Sequence, residues 1–128
     1  MPQCQTQLIE VKWIGRKGRG VFARRRIAKD SIIERVPVVA LPIEEVFGRS
    51  AGSVLSEYVF KWRDGEVAIA LGYGSLYNHS YAPNARFYSE GRLTQVFSAL
   101  RDIDAGEEIT INYLGASNNR LSFAVIDA

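Results

Sequence analysis

Residues 71–84, LGYGSLYNHSYAPN, hold the chain's single histidine, His79, directly after Asn78. Tyr73, Tyr77 and Tyr81 surround that pair, and Gly72, Gly74 and Pro83 punctuate it. Glycine and proline at this density mark irregular backbone, and irregular backbone held by a scaffold is where ligands are most often bound. An Asn-His-Ser core among aromatic rings suits a small-molecule cleft, with apolar walls and few polar groups. The same residues also describe a tight Asx or Ser turn at a strand end, its aromatics filling the core. Two other segments carry candidate chemistry. Residues 17–23, KGRGVFA, place Gly18 and Gly20 about Arg19, and glycine lets a backbone approach a ligand closely. Neither a strand–GxGxxG–helix unit nor a GxxxxGK[ST] loop surrounds them, so dinucleotide binding and nucleotide hydrolysis are not expected. Residues 101–113, RDIDAGEEITINY, end on Tyr113. Its phenol, with an ordinary pKa of about 10, is protonated at neutral pH and suits orientation rather than strong base catalysis. Taken alone, Tyr113 is best read as an amphipathic residue at a strand end. One histidine and one cysteine, Cys4, cannot assemble a His/Cys zinc site, and no metal is expected.

Short elements must position these groups. Residues 8–14 (LIEVKWI) read as a strand and residues 15–20 as a Gly-rich basic turn. Arg24, Arg25 and Arg26 form a basic run best read as a solvated face, too short for a nuclear-localisation cluster. Residues 31–41 (SIIERVPVVAL) are β-branched, and Pro37 within them predicts a strand that is bent, interrupted or at an edge. Residues 42–46 open a helical turn, with proline first and acids following. Over residues 53–62, Leu55, Tyr58, Val59 and Trp62 recur at three- and four-residue spacing and predict one face of a short amphipathic helix. Residues 66–71 predict a strand, residues 86–89 and 93–100 a strand pair, residues 102–106 a turn and residues 108–113 a final strand. The tail, residues 114–128, is mixed, with an apolar LSFAVI. Many short strands with one short helix predict a mostly-β domain.

The chain as a whole bounds the function. At 128 residues it is expected to be one domain, with a single modest core. Hydrophobic residues at 47% and charged residues at 23% are ordinary for a soluble globular protein. No run approaches the roughly 18 apolar residues of a membrane span, and the start, MPQCQTQLIE, does not read as a secretory signal. The lone cysteine suits a reducing compartment. A net charge of +2 is mild and does not predict direct nucleic-acid binding. A small RNA-binding module using the arginine run and exposed aromatics is disfavoured by that charge and by the lack of a ribonucleoprotein-type motif.

In order along the chain, KGRGVFA (17–23), NHSYAPN (78–84) and RDIDAGEEITINY (101–113) resemble the three signature blocks of the SET domain family of protein-lysine methyltransferases. The resemblance runs over about residues 9–114 of a single domain spanning 1–128, with 115–128 as a tail. It implies a mostly-β, β-clip fold of small curled sheets with one short helix and a C-terminal pseudoknot, a threading rare among folds. The implied activity is S-adenosyl-L-methionine-dependent methylation of a lysine in a histone or other protein. The methyl acceptor must be a neutral amine, against an ordinary lysine pKa of about 10.4, and aligning the reacting atoms supplies much of the acceleration.

By the same resemblance Tyr113 is the catalytic tyrosine, and Gly18, Arg19, Gly20, Asn78 and His79 contact the cofactor. Tyr58 lies near the cofactor and the lysine channel, with core packing as its alternative. Tyr77, Phe87 and Phe97 are candidate channel walls, for each of which core packing is the better reading. Ile111, two residues before Tyr113, occupies a position that sets how many methyl groups are added, and an apolar residue there leans towards multiple methylation. The chain departs from the family pattern in two ways. Tyr81 stands where a cysteine is usual, and the cysteine-rich zinc cluster that closes the channel in many nuclear members is missing, leaving Phe123 and the tail, or a second subunit of a homodimer, to cover the site. The substrate would be an extended lysine-bearing peptide added beside a sheet edge, with no membrane partner. Minimal SET proteins of this length are viral or bacterial, which implies the cytoplasm, or a host nucleus for a viral protein. The alternative function is a SET-like module that holds cofactor or peptide without turnover.

Overall fold

A computed structural model describes residues 8–48 and 54–113. Its strands are β1 (Ile9–Trp13), β2 (Arg19–Ala23), β3 (Ile32–Pro42), β4 (Val59–Lys61), β5 (Glu66–Ala70), β6 (Asn78–His79), β7 (Ala85–Glu90), β8 (Thr94–Ala99) and β9 (Glu108–Ile111), and α1 (Ile43–Phe47) is a single helical turn and a half. The strands make two sheets, ordered β1-β2-β9-β6 and β4-β5-β3-β8-β7. The architecture is the mostly-β arrangement of small curled sheets that the sequence predicts. The five-stranded sheet curls far enough for its two edges to touch. Phe60 on β4 meets Phe87 on β7 edge-on at 4.9 Å, and Trp62 Nε1 donates to the Arg92 carbonyl in the β7–β8 turn.

The four-stranded sheet joins sequence ends. β9 lies between β2, antiparallel, and β6, parallel, pairing Asn78 with Thr110 and His79 with Ile111. This insertion of the last strand is the described part of the expected C-terminal threading. It puts all three signature segments in one sheet. The core between the sheets is built from Ile9, Val21, Val36, Phe97, Ile103, Ile109 and Ile111, among others.

β3 is the strand that both halves of the second sheet share. Residues 32–37 pair with β8 and residues 38–42 with β5. Pro37 neither breaks the strand nor lies at a sheet edge. It falls where one ladder hands over to the other, so its missing N–H interrupts neither, while its carbonyl accepts the Leu71 amide. The register of β3 against β8 shifts between Ile32 and Glu34, a bulge that re-aims side chains. Ile33 and Glu34 are therefore both buried, in line with Val36 and Val38.

The helix expected over residues 53–62 is not formed. Residues Val54–Glu57 make a 3-10 turn, and Val59–Lys61 is β4, paired antiparallel with β5. Spacing of three to four also fits a tight turn followed by a strand, and pairing with β5 decides in favour of the strand by burying Phe60. Leu55 and Tyr58 are exposed, so no apolar helical stripe exists. Gly74, in the 3-10 turn Gly74–Leu76, packs where a Cβ would lie 2.5 Å from the Ala70 Cβ and 3.3 Å from the Phe97 ring. Only glycine lets that turn close over the core. Among the described residues no helix is long and apolar enough to cross a membrane.

Candidate active site

The signature segments converge on the side chain of Asn78. Its Nδ2 donates to the Arg19 carbonyl at 3.0 Å and to Glu108 Oε2 at 2.7 Å. The amide thereby ties β6 to the first residues of β2 and β9. Gly20 is the close-approach point. A Cβ there would lie 2.6 Å from Glu108 Oε2 and 3.0 Å from Asn78 Nδ2, so the second glycine of the KGRG turn makes room for this polar cluster. Gly18 turns the chain into β2 with φ +77°, a left-handed conformation that glycine adopts at little cost. The structure thus brings Gly18, Arg19, Gly20 and Asn78 together.

Tyr113 follows β9 on the same side. Its amide donates to His79 Nδ1 at 3.0 Å, and its hydroxyl donates to the Tyr77 carbonyl at 2.8 Å. The first bond fixes His79 as an acceptor at Nδ1, with the neutral ring's proton on Nε2. His79 is buried, and the rings of Tyr81 and Tyr113 lie 4.2 and 5.1 Å from it. Tyr81, at the position where the family has cysteine, therefore closes edge-on against the histidine. Burial first, and then the negative charge shared with Tyr58 and Glu108, push the Tyr113 phenol up to about 12. It stays protonated at any physiological pH.

The other candidate residues are arranged as follows. Tyr58 is exposed and close enough to Tyr113 to influence its ionisation. Ser75 Oγ lies 2.9 Å from the Tyr58 carbonyl and 3.1 Å from that of Ala70, anchoring its backbone to the loop. The Tyr77 ring does not line an opening. It is 1% exposed and stacks on Phe97 at 4.6 Å, so only its carbonyl faces Tyr113. Phe97 and Ile111 are wholly buried core residues. Phe87 packs on Phe60 and lines a surface pocket with Lys61, Trp62 and Tyr88, on the curled sheet rather than beside Asn78. Phe123 lies outside the described residues, as do Cys4 and the tail.

Three polar groups escape a reading of the sequence. Glu108 is the Asn78 partner. Asn84, the last residue of NHSYAPN, acts as a false strand: its Oδ1 accepts the Thr110 amide and its Nδ2 donates to the Glu108 carbonyl, both at 2.8 Å. Glu34 is buried on β3 at 3% exposure and accepts the Tyr77 hydroxyl at 2.8 Å. Burial raises its carboxyl to about 7, against the opposing hydrogen bonds from Tyr77 and the Tyr73 backbone. Alternation with Val36 and Val38 puts Glu34 on the buried face, but its charged type argues against burial; for Asn84 the motif position is the available signal. The RDIDAGEE segment is held by its own charges. Arg101 pairs with Glu107, and Glu107 Oε1 accepts the Asp104 amide at 3.0 Å. The Arg101 hydrogen bond is the main cause that lowers Glu107 to about 2.

The family model for the SET domain matches residues 18–114. The chain belongs to the SET domain family. Over 106 residues it is 37% identical to the histone-lysine N-methyltransferase, H3 lysine-37 specific, of Schizosaccharomyces pombe, a match spanning 82% of this chain and 72% of the relative. Among solved structures it superposes on a Plasmodium falciparum protein described as a histone methyltransferase, with a TM-score of 0.73 and 31% identity, covering 87% of this chain and 96% of that one. The matched range takes in all three of the converging segments described above.

Proposed function

We propose that this SET domain is a protein-lysine N-methyltransferase that uses S-adenosyl-L-methionine and acts on a lysine of a histone or another protein. The observation that carries this reading is the double anchoring of Tyr113, by its amide on His79 and its hydroxyl on Tyr77, beside the Gly20–Asn78–Glu108 cluster. That cluster is a fair fit for the cofactor. Backbone, amide and carboxylate groups meet there with no side chain from Gly20 between them, a set of groups that suits recognition of a small zwitterionic end group. Gly18, Arg19, Gly20, Asn78 and His79 would hold the cofactor, which supplies an electrophilic methyl group on a cationic sulfur.

The chain's own residues supply position and electrostatics. Because the Tyr113 proton is directed at the Tyr77 carbonyl, the lone pairs of its oxygen are left to accept an N–H of an incoming amine. A phenol titrating at about 12 is no base at neutral pH, so the acceptor lysine loses its proton to solvent. Tyr113 then orients the neutral amine. Tyr58 is the second hydroxyl at this place. Similarity to the Schizosaccharomyces pombe enzyme, whose name specifies histone H3, makes histones the first acceptors to try.

The test is transfer of labelled methyl from S-adenosyl-L-methionine into a panel of purified histones and a lysine-containing bacterial extract. Tyr113→Phe should reduce labelling by about 10²-fold, the order expected for losing one positioned polar group at the reacting atoms. Full labelling by Tyr113→Phe would remove that residue from the site. Cofactor binding without labelling of any acceptor would favour a module that binds without turnover.

A further inference from the structure

The signature residues do not account for a buried polar path that ends at Tyr113. Glu34 and Phe97 are register partners on β3 and β8. The Tyr77 ring lies stacked on Phe97, 28° from parallel, and its hydroxyl donates to Glu34 Oε1 at 2.8 Å. The side chain is thus held at its face and at its tip. Tyr77 itself is extended, φ −66° and ψ 135°, at the exit of the 3-10 turn Gly74–Leu76 and one residue before β6. A residue fixed at both ends of its side chain has a fixed main chain, and its carbonyl is the acceptor of the Tyr113 hydroxyl at 2.8 Å. The arrangement costs something. Glu34 is 3% exposed, and taking a carboxyl out of water is expensive even when it is hydrogen-bonded. A leucine would fill the same space without that cost. The carboxyl lies where it accepts from the Tyr77 hydroxyl.

We propose that Glu34 is a positioning residue: through the Tyr77 hydroxyl it sets the Tyr77 carbonyl, and through that carbonyl the orientation of the Tyr113 hydroxyl. The chain of contact is Glu34 Oε1, Tyr77 side chain, Tyr77 carbonyl, Tyr113 hydroxyl. Its consequence for turnover rests on the methyltransferase reading above, whereas the coupling of Glu34 to Tyr113 exists in the free protein and is read there.

The experiment follows the Tyr113 ring carbon that bears the hydroxyl, by NMR of protein labelled at tyrosine Cζ, without cofactor or substrate. The resonance is assigned by its loss in Tyr113→Phe. Glu34→Leu should move it, and so should Tyr77→Phe, which keeps the ring and its stacking on Phe97. Glu34→Gln, which retains an acceptor for the Tyr77 hydroxyl, should leave it in place. That rescue separates positioning from packing. A Tyr113 resonance unmoved in both Tyr77→Phe and Glu34→Leu overturns the proposal; so does one moved equally by Glu34→Gln. Tyr77→Phe serves alone if Glu34→Leu does not fold.

In turnover with histone H3 as acceptor, Tyr77→Phe should lower kcat by roughly tenfold, the scale of a sub-ångström misplacement, with KM for the histone changed less than about twofold. In a Tyr113→Phe background the same substitution should lower it no further, because effects acting through one group do not add. An undiminished further loss in that background would overturn the path through Tyr113. If Tyr113→Phe itself leaves turnover intact, the functional reading fails while the resonance still decides the coupling.

Discussion

Asn84 shows how one side chain can serve as a piece of sheet. Its amide offers an acceptor to the Thr110 N–H and a donor to the Glu108 carbonyl, the two groups that a neighbouring strand would satisfy. It is 3% exposed, so water cannot replace it. Asn84→Ala should therefore leave a buried N–H unpaired and cost about 1–3 kcal/mol, measurable as a lower denaturant midpoint with an unchanged slope. Asn84→Asp restores the Thr110 bond but puts a charge against the Glu108 carbonyl, and should be no more stable than the alanine variant. Asn78 differs in kind, because its partners, Arg19 and Glu108, belong to the segments that make the site. Its substitution should weaken cofactor binding more than the fold.

At the level of elements, the KGRG turn and β2 matter through what they exclude. Gly18 is needed for its backbone angle, Gly20 for its lack of a side chain. Gly20→Ala would place a methyl 2.6 Å from Glu108 Oε2 and 2.9 Å from Ile14 Cδ1. Both are ends of side chains that can swing away, so the protein should fold. The Asn78–Glu108 bond would be broken in the process. Calorimetry with S-adenosyl-L-methionine should then show affinity reduced by about tenfold or more, the value of one charge-assisted hydrogen bond, with a thermal midpoint close to the parent's. Binding unchanged in Gly20→Ala would separate the cluster from cofactor recognition. β3 carries the opposite lesson. Its bulge lets Ile33 be buried beside Glu34, while Glu34 keeps the alternation of Val36 and Val38 and so lies against Tyr77.

Two carboxyls set the pH response of the whole molecule in opposite directions. Glu34 is raised from 4.5 to about 7, chiefly by burial, with the Tyr77 hydroxyl and the Tyr73 backbone facing it. The folded state binds its proton more tightly than the unfolded chain does. Its contribution is therefore fully present below pH 4.5 and is lost as pH rises through 7, roughly 3 kcal/mol over that window. Glu107 is lowered to about 2 by Arg101 first, then by the Asp104 amide and Asn84. Its contribution is present above pH 4.5 and is lost as pH falls towards 2. Thermal melts should accordingly show a higher midpoint at pH 5 than at pH 8. Glu34→Gln, which cannot titrate, should flatten that limb, while Arg101→Gln should weaken the acid side. A parent protein with equal midpoints at pH 5 and 8 would show that Glu34 does not titrate as its burial requires.

How much of this was legible in the chain differs by feature. The strand pairs around Gly91, the Ile43–Phe47 turn and the three signature segments were readable, because hydrophobic alternation, proline position and Gly-rich turns are local signals. Residues 53–62 were misread as helix, since a spacing of three to four does not distinguish a helix from a 3-10 turn running into a strand. Pairing with β5 made that choice. Pro37 predicts a strand that is bent, interrupted or at an edge; the structure has neither a break nor an edge there but a handover between two partner strands, which is not written near it. By itself the sequence determined the family and the mostly-β class. The tertiary structure alone decided that Tyr77 turns its ring inward and its carbonyl towards Tyr113, and that Glu34 lies buried beneath it. The physical reason is one of range. A residue's type and spacing follow from its neighbours in the chain, but its burial and its hydrogen-bond partner depend on strands tens of residues away.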